Sequence, residues 1–173
     1  SLPATIAIGR AYIAQSRGNT QDAVRYASRV FELVPEGDSY RHSQAAMMLG
    51  MTYWASGNLK AAERVFADYS LKLRAAGNIP DAISTTVVLA EIRLGLGRLH
   101  DAIRTAGQLM QYILDQGGPV SPHAADLHRE LGELYLEQDQ REAAAQQLRS
   151  SMELGEKAEF PVWRYRWYIA QAR

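Results

Sequence analysis

The sequence predicts an all-α protein, a solenoid of antiparallel helix pairs repeating about every 40 residues. Three observations predict it. The turn markers Gly18, Gly57, Gly97 and Asp139 stand 39, 40 and 42 residues apart. A leucine and a small residue precede three of them, as Leu49-Gly50, Leu89-Ala90 and Leu131-Gly132, and an alanine follows, as Ala62, Ala102 and Ala144. Between markers, apolar residues recur at the three- and four-residue steps of a helix. A period of this length means helix pairs that cannot bury their faces alone and must stack on neighbours.

Each element has its local reason. The first helix is predicted from about Pro3, tolerated in a first turn, to Gln15, with Ala7, Ala11 and Ala14 as its small-residue face. Arg17-Gly18-Asn19 stops it, and Thr20 is expected to cap the second helix, which turns Ala23, Ala27 and Val30 inward with Phe31 and Leu33 extending the apolar surface. Pro35-Glu36-Gly37-Asp38 ends that helix, and Asp38 or Ser39 caps the third. The stretch Leu49–Tyr69 is the one the others copy. Glycine in mid-helix costs about 1 kcal/mol relative to alanine, so Gly50 implies the close approach of another backbone, with Ala62 as the expected partner. Gly57-Asn58 closes the third helix, and the fourth runs to about Ala76. Ile79-Pro80 opens the third pair, whose second helix runs from Leu99 to about Gln116 and ends at Gly117-Gly118-Pro119. Ser121-Pro122 opens the fourth pair as a cap and a first-turn proline, and Phe160-Pro161 starts a ninth helix.

Composition narrows the function. Nineteen basic and nineteen acidic residues cancel over 173 residues, which gives no general attraction to nucleic acid or to a membrane surface. The absence of cysteine removes disulfides and thiolate metal sites and fits a cytoplasmic setting. No apolar run reaches the length of a membrane span. The chain reads as one repeat domain, 1–173, of a longer protein, since it starts without methionine and ends inside an amphipathic pattern.

The spacing of Leu49, Gly50, Tyr53, Gly57, Ala62 and Phe66 resembles that of a tetratricopeptide repeat, which implies a right-handed superhelix; the longer period here implies longer helices. A more specific likeness is carried by Leu89-Ala90-Glu91-Ile92, Gly97-Arg98-Leu99, Ala102, Leu127-His128, Leu131-Gly132-Glu133-Leu134-Tyr135 and Glu153-Leu154-Gly155-Glu156. These residues resemble the helical repeat domain of MalT-like, ATP-dependent regulators of the LuxR type. The resemblance implies a module that senses an inducer or a protein partner and passes the signal to the other domains of a transcriptional regulator. No phosphate-cradling G-x-x-x-x-G-K-[ST] loop occurs, so the ATPase is not expected in this segment. The alternative is a general tetratricopeptide interaction scaffold unconnected with transcription.

A search for chemistry finds no catalytic, metal or cofactor constellation. His123 and His128 are five residues apart, off one helical face, and no H-E-x-x-H is present. His128 reads as packing between helices. Glu130, Glu133 and Glu137 read as a solvated face. Trp163, Arg164, Tyr165, Arg166, Trp167 and Tyr168 interleave arginines with aromatics, a pattern also used on single-stranded nucleic acid, but here read as packing of a last helix. Direct nucleic-acid binding is therefore not expected.

The expected binding surface is the concave face of the superhelix, formed by one stripe of each first helix. Steps of three and four give Thr5, Ile8, Tyr12 and Gln15, then Gln44, Met47, Met51 and Trp54. They continue with Ser84, Val87, Glu91 and Leu94, then Asp126, Arg129, Glu133 and Leu136, and Arg164, Trp167 and Gln171. Tyr12, Met47, Met51, Trp54, Glu91, Arg129, Glu133 and Trp167 are the predicted contacts for a protein, peptide or small-molecule inducer. Methionine adapts to varied shapes and tryptophan offers a large rigid surface.

Overall fold

The computed structural model of the protein describes residues 2–35, 37–117, 121–156 and 167–172. Its helices are α1 Leu2–Ser16, α2 Thr20–Leu33, α3 Ser39–Ala55, α4 Leu59–Ala75, α5 Ile79–Gly95, α6 Leu99–Asp115, α7 Ala124–Glu137 and α8 Arg141–Gly155. Residues 167–171 are helical too, and no strand occurs among the described residues. The predicted all-α class of consecutive helix pairs is the observed one. The expected start of a ninth helix at Phe160-Pro161 lies outside the described residues.

Each pair closes on the same turn. Gly18, Gly57 and Gly97 take left-handed φ values of 70°, 77° and 73°, and Asp139 takes 56°. The following N–H then reaches back to the carbonyl five residues earlier: Asn19 to Ala14, Asn58 to Tyr53, Arg98 to Arg93 and Gln140 to Tyr135, all at 2.9 Å. This is the C-terminal cap that only glycine adopts freely, with asparagine or aspartate as the tolerable substitutes. Asparagine after the glycine then starts the next helix. Asn19 Oδ1 accepts the Asp22 N–H at 3.1 Å, and Asn58 Oδ1 accepts that of Ala61 at 3.3 Å. Gly77-Asn78 repeats the device between pairs, with Asn78 Oδ1 accepting from Asp81 N at 3.4 Å.

Two expected helix starts shift, and the choice left open at the third falls to Asp38. Asn19 caps α2 in place of Thr20, because Thr20 is already the first helical residue and the Asn19 carboxamide is the group that meets the Asp22 N–H. Asp38 is the cap of α3, accepting the Arg41 N–H at 3.2 Å. Pro122 and His123 form a turn ahead of α7, which begins at Ala124; Ser121 Oγ accepts the His123 N–H at 3.3 Å inside that turn.

The chain divides into two compact units, Ser1–Tyr69 and Ser70–Arg173, with the division inside α4. In the first, Ala4, Ala7, Val30, Val34 and Ala45 form one buried cluster and Ala11, Ala27, Met48 and Leu49 a second, flanked by Tyr53 and Val65. Gly50 is a packing position, and the atoms nearest its open side belong to Phe66 rather than to the expected Ala62. A Cβ at Gly50 would lie 2.7 Å from the Phe66 ring, which is fully buried. In the second unit, α7 packs on α5, α6 and α8. Here a Cβ at Gly132 would lie 2.8 Å from Leu148 Cγ and 3.4 Å from the Ala144 carbonyl oxygen.

The repeat register explains both contacts. Counted from each turn marker, Phe66 and Leu148 occupy the same position of the second helix as Ala27 and Ala106. Glycine stands on the first helix where its mate is large, as Gly50 and Gly132. Alanine stands there where the mate is alanine, as Ala11 with Ala27 and Ala90 with Ala106, all four buried. The first-helix residue is thus smallest where its mate is bulkiest, as close packing requires.

Candidate functional site

The same register isolates one anomaly. Two adjacent positions of each first helix read Ile8-Gly9 in α1, Met47-Met48 in α3, Val87-Val88 in α5 and Arg129-Glu130 in α7. Only α7 places charges there, and it buries them: Arg129 is 6% exposed and Glu130 3%. Arg129 Nη2 stands 3.5 Å from Glu130 Oε2, its Nε 3.6 Å from Asp126 Oδ1, and its Nη1 donates to Glu133 Oε1. The contacts follow from helix spacing, since Asp126 and Glu133 lie one turn to either side of Arg129. Glu91 of α5 adds a further acidic group whose charge acts on Glu130.

Electrostatics divides the roles within this cluster. Burial pushes the Glu130 carboxyl up to about 8, against the pull of Arg129, while Glu91, Glu133 and Asp126 add to the rise. Burial opposes the Arg129 charge as well, but Glu133, Glu130 and Asp126 outweigh it and hold its pKa above the ordinary value. Glu133 and Asp126 balance the guanidinium, and Glu130 retains its proton near neutrality. The folded state therefore holds that proton more tightly than the unfolded chain, where the carboxyl titrates near its ordinary 4.5. The resulting stabilisation is complete below about pH 4.5 and is lost as pH rises through about 8. Urea unfolding between pH 5 and 8.5 is expected to show stability falling by on the order of a few kcal/mol. Glu130→Gln, which keeps the shape without the ionisation, flattens that slope; an unchanged slope would count against a protonated Glu130.

The other predicted contacts fall out as follows. In the first unit, Tyr12 is 58% exposed on α1, while Met47, Met51 and Trp54 are half-buried on one side of α3. In the second unit, Glu91 is exposed and Glu133 half-buried. Arg129 is not accessible as an open-wall contact; its guanidinium is turned among the acids of its own helix. Trp167 is half-buried and donates from Nε1 to the Leu148 carbonyl at 3.0 Å. Arg164 lies outside the described residues, as do Trp163, Tyr165 and Arg166.

Glu130 is the member that sequence reasoning assigned to a solvated face. Its register with Met48 was the available signal. Glu137, one helical turn beyond Glu133, is exposed as expected. His128 packs between helices as read: its Nδ1 lies 2.6 Å from Gln147 Oε1, and burial lowers its pKa more than that hydrogen bond raises it. Among the described residues no group of three histidine, aspartate or glutamate side chains is placed to hold a metal, and no helix is long and apolar enough to cross a membrane.

Comparison with known proteins places this geometry. Among solved structures, the TPR-like repeats of a Podosopora anserina protein described as a kinesin light chain superpose with a TM-score of 0.73 at 17% identity, covering 90% of this chain and 76% of that one. A thermophilic TPR protein of Thermus thermophilus aligns with a TM-score of 0.42 at 15% identity, covering 98% of this chain and 100% of that one. The first likeness is one of fold alone. No curated protein matches the sequence. The MalT-like TPR region matches residues 4–173, nearly the whole chain. The protein is therefore a helical repeat scaffold, and it belongs to the family of MalT-like TPR regions.

Proposed function

We propose that this domain is the partner- or effector-binding module of a MalT-like, LuxR-type transcriptional regulator acting in the cytoplasm. Its occupant is a protein, a peptide or a small-molecule inducer held against the first-helix stripe, and its work is binding and signal transfer, not catalysis. The observation that carries this reading is on α3. One side of that helix is closed by Ala45, Met48 and Leu49, while the side holding Met47, Met51 and Trp54 keeps part of its large, adaptable surface in solvent. Repeat arrays bind through such surfaces, and partly exposed tryptophan and methionine cost solvation unless an occupant uses them. In the second unit, Glu91 and Glu133 serve as polar contacts in their own right, with Arg129 acting from beneath by fixing Glu133.

The test uses the parent regulator and its own effector or partner. Trp54→Ala is expected to fold like the wild type and to weaken binding about tenfold or more. Unchanged affinity would place the site elsewhere. A loss of binding with no change in transcriptional output would favour the general scaffold reading over the sensor.

A further inference from the structure

The turn register sets one position of α1 apart. Where α3, α5 and α7 carry Leu49, Leu89 and Leu131, all buried, α1 carries Arg10, which is exposed. Across the hairpin, α2 carries Tyr26 where the later second helices have Val65, Thr105 and Gln147. Both departures open onto one cleft of about 370 Å³ between α1 and α2, inside the first unit. Arg17, two helical turns beyond Arg10, lines it as well, and Ile13 and Ala14, which stand between the arginines, add apolar lining.

The charge of this cleft is unbalanced. α1 contains no acidic residue. The Arg10 guanidinium lies 5.7 Å from the Tyr26 ring centroid, and neither Arg10 nor Arg17 has a carboxylate partner among the described residues. Asp22 at the rim is already engaged: Arg25 Nη2 stands 2.8 Å from its Oδ1, and Asn19 Nδ2 donates to its Oδ2 at 2.9 Å. A guanidinium over an aromatic ring keeps its charge and its in-plane N–H groups for a further partner. Arg25 also lies over the Tyr26 ring, at 4.8 Å, so the ring is occupied by guanidinium and is not offered to a nucleobase.

We infer that the cleft binds a short acidic segment of a protein partner, with one carboxylate on Arg10, one on Arg17 and an apolar side chain between them against Ile13 and Ala14. The two arginine Cα atoms are about 10 Å apart along the helix. An extended segment puts alternate side chains on one face, so acid–x–apolar–x–acid spans about 13 Å, a difference that two long arginine side chains absorb. Guanidinium and carboxylate then meet through paired, charge-assisted hydrogen bonds. None of Tyr12, Met47, Met51 and Trp54 lines the cleft, which makes it a second site beside the first-helix stripe.

The test uses the 173-residue chain and two fluorescein-labelled peptides, identical but for Glu-Ala-Leu-Ala-Glu in one and Gln-Ala-Leu-Ala-Gln in the other. Binding is read by anisotropy at about 50 mM salt, where exposed charges are weakly screened. The acidic peptide is expected to bind at least about tenfold more tightly than its neutral counterpart. Arg10→Gln and Arg17→Gln should each remove most of that difference and leave the melting of the chain unchanged, since both side chains are exposed. Arg29→Gln removes the same charge from α2 outside the cleft and should alter affinity less than about twofold. Equal affinity for the two peptides, or no binding of either, would overturn the proposal. So would equal losses from Arg29→Gln and Arg17→Gln, which makes the attraction general, or a loss from Trp54→Ala, which moves the peptide to the first-helix stripe. Lowered melting in both Arg10→Gln and Arg17→Gln would make these arginines part of the packing and count against the site. Suberate, a free dicarboxylate of similar span, should not displace the peptide at equal concentration; displacement would make a small diacid the occupant and overturn the protein segment.

Discussion

Gly50→Leu is expected to destabilise the first unit by about 3 kcal/mol, at the upper end of overpacking costs. Any leucine Cβ at this position would stand 2.7 Å from the Phe66 ring, and the ring is fully buried. The gain in helix propensity, about 1 kcal/mol, does not offset that collision. Urea unfolding followed by circular dichroism reads the loss, and wild-type resistance to urea would mean that the close approach is not a constraint. A double-mutant cycle identifies the partner. Gly50→Ala and Phe66→Ala together recreate the combination found at Ala11 and Ala27, so the pair should cost at least about 1 kcal/mol less than the sum of the single changes. An additive result would mean that Phe66 is not the residue glycine makes room for.

Arg129→Met should be the costliest single change in the second unit, at about 3–5 kcal/mol near neutral pH. It strips the guanidinium from Asp126, Glu130 and Glu133 and leaves their acidic groups facing one another in a largely buried position. Arg129→Met/Glu130→Met is expected to recover most of that loss and to equal or exceed the wild type. It converts these two positions to the Met47-Met48 of α3, and apolar side chains of similar volume often replace buried ion pairs without loss. If the double variant remained as unstable as the single one, the charges would be holding the interface together in their own right. If Arg129→Met were neutral, the cluster would be open to water despite its burial.

Much of the architecture was readable because backbone geometry leaves clear traces. A glycine with φ near 70° followed by asparagine is nearly a written instruction to end one helix and begin another, and Gly18-Asn19 and Gly57-Asn58 were located on that basis. What was not readable depended on side chains crossing between helices. Matching Gly50 with Ala62 assumed that small meets small, whereas the space beside a glycine is better filled by a long or aromatic side chain from one turn farther along. Glu130 was missed because carboxylates default to solvent, and only its alignment with Met48 and Val88 contradicts that default. The half-exposure of Met47, Met51 and Trp54 depends on how tightly neighbouring helices lie, which helical periodicity alone does not fix.

The pairing of glycine with a bulky mate and of alanine with alanine also acts as a recognition code among near-copies. A chain of similar hairpins risks assembling with the wrong hairpin while it folds. Here consecutive hairpins carry alternate codes: alanine–alanine, glycine–phenylalanine, alanine–alanine, glycine–leucine. If α3 took the second helix of an adjacent hairpin, glycine would face alanine and leave a void; if α5 took Phe66, alanine would meet an aromatic ring and clash. Every exchange between adjacent hairpins is penalised in one direction by emptiness and in the other by collision, so the proofreading of assembly order is written into four pairs of side chains.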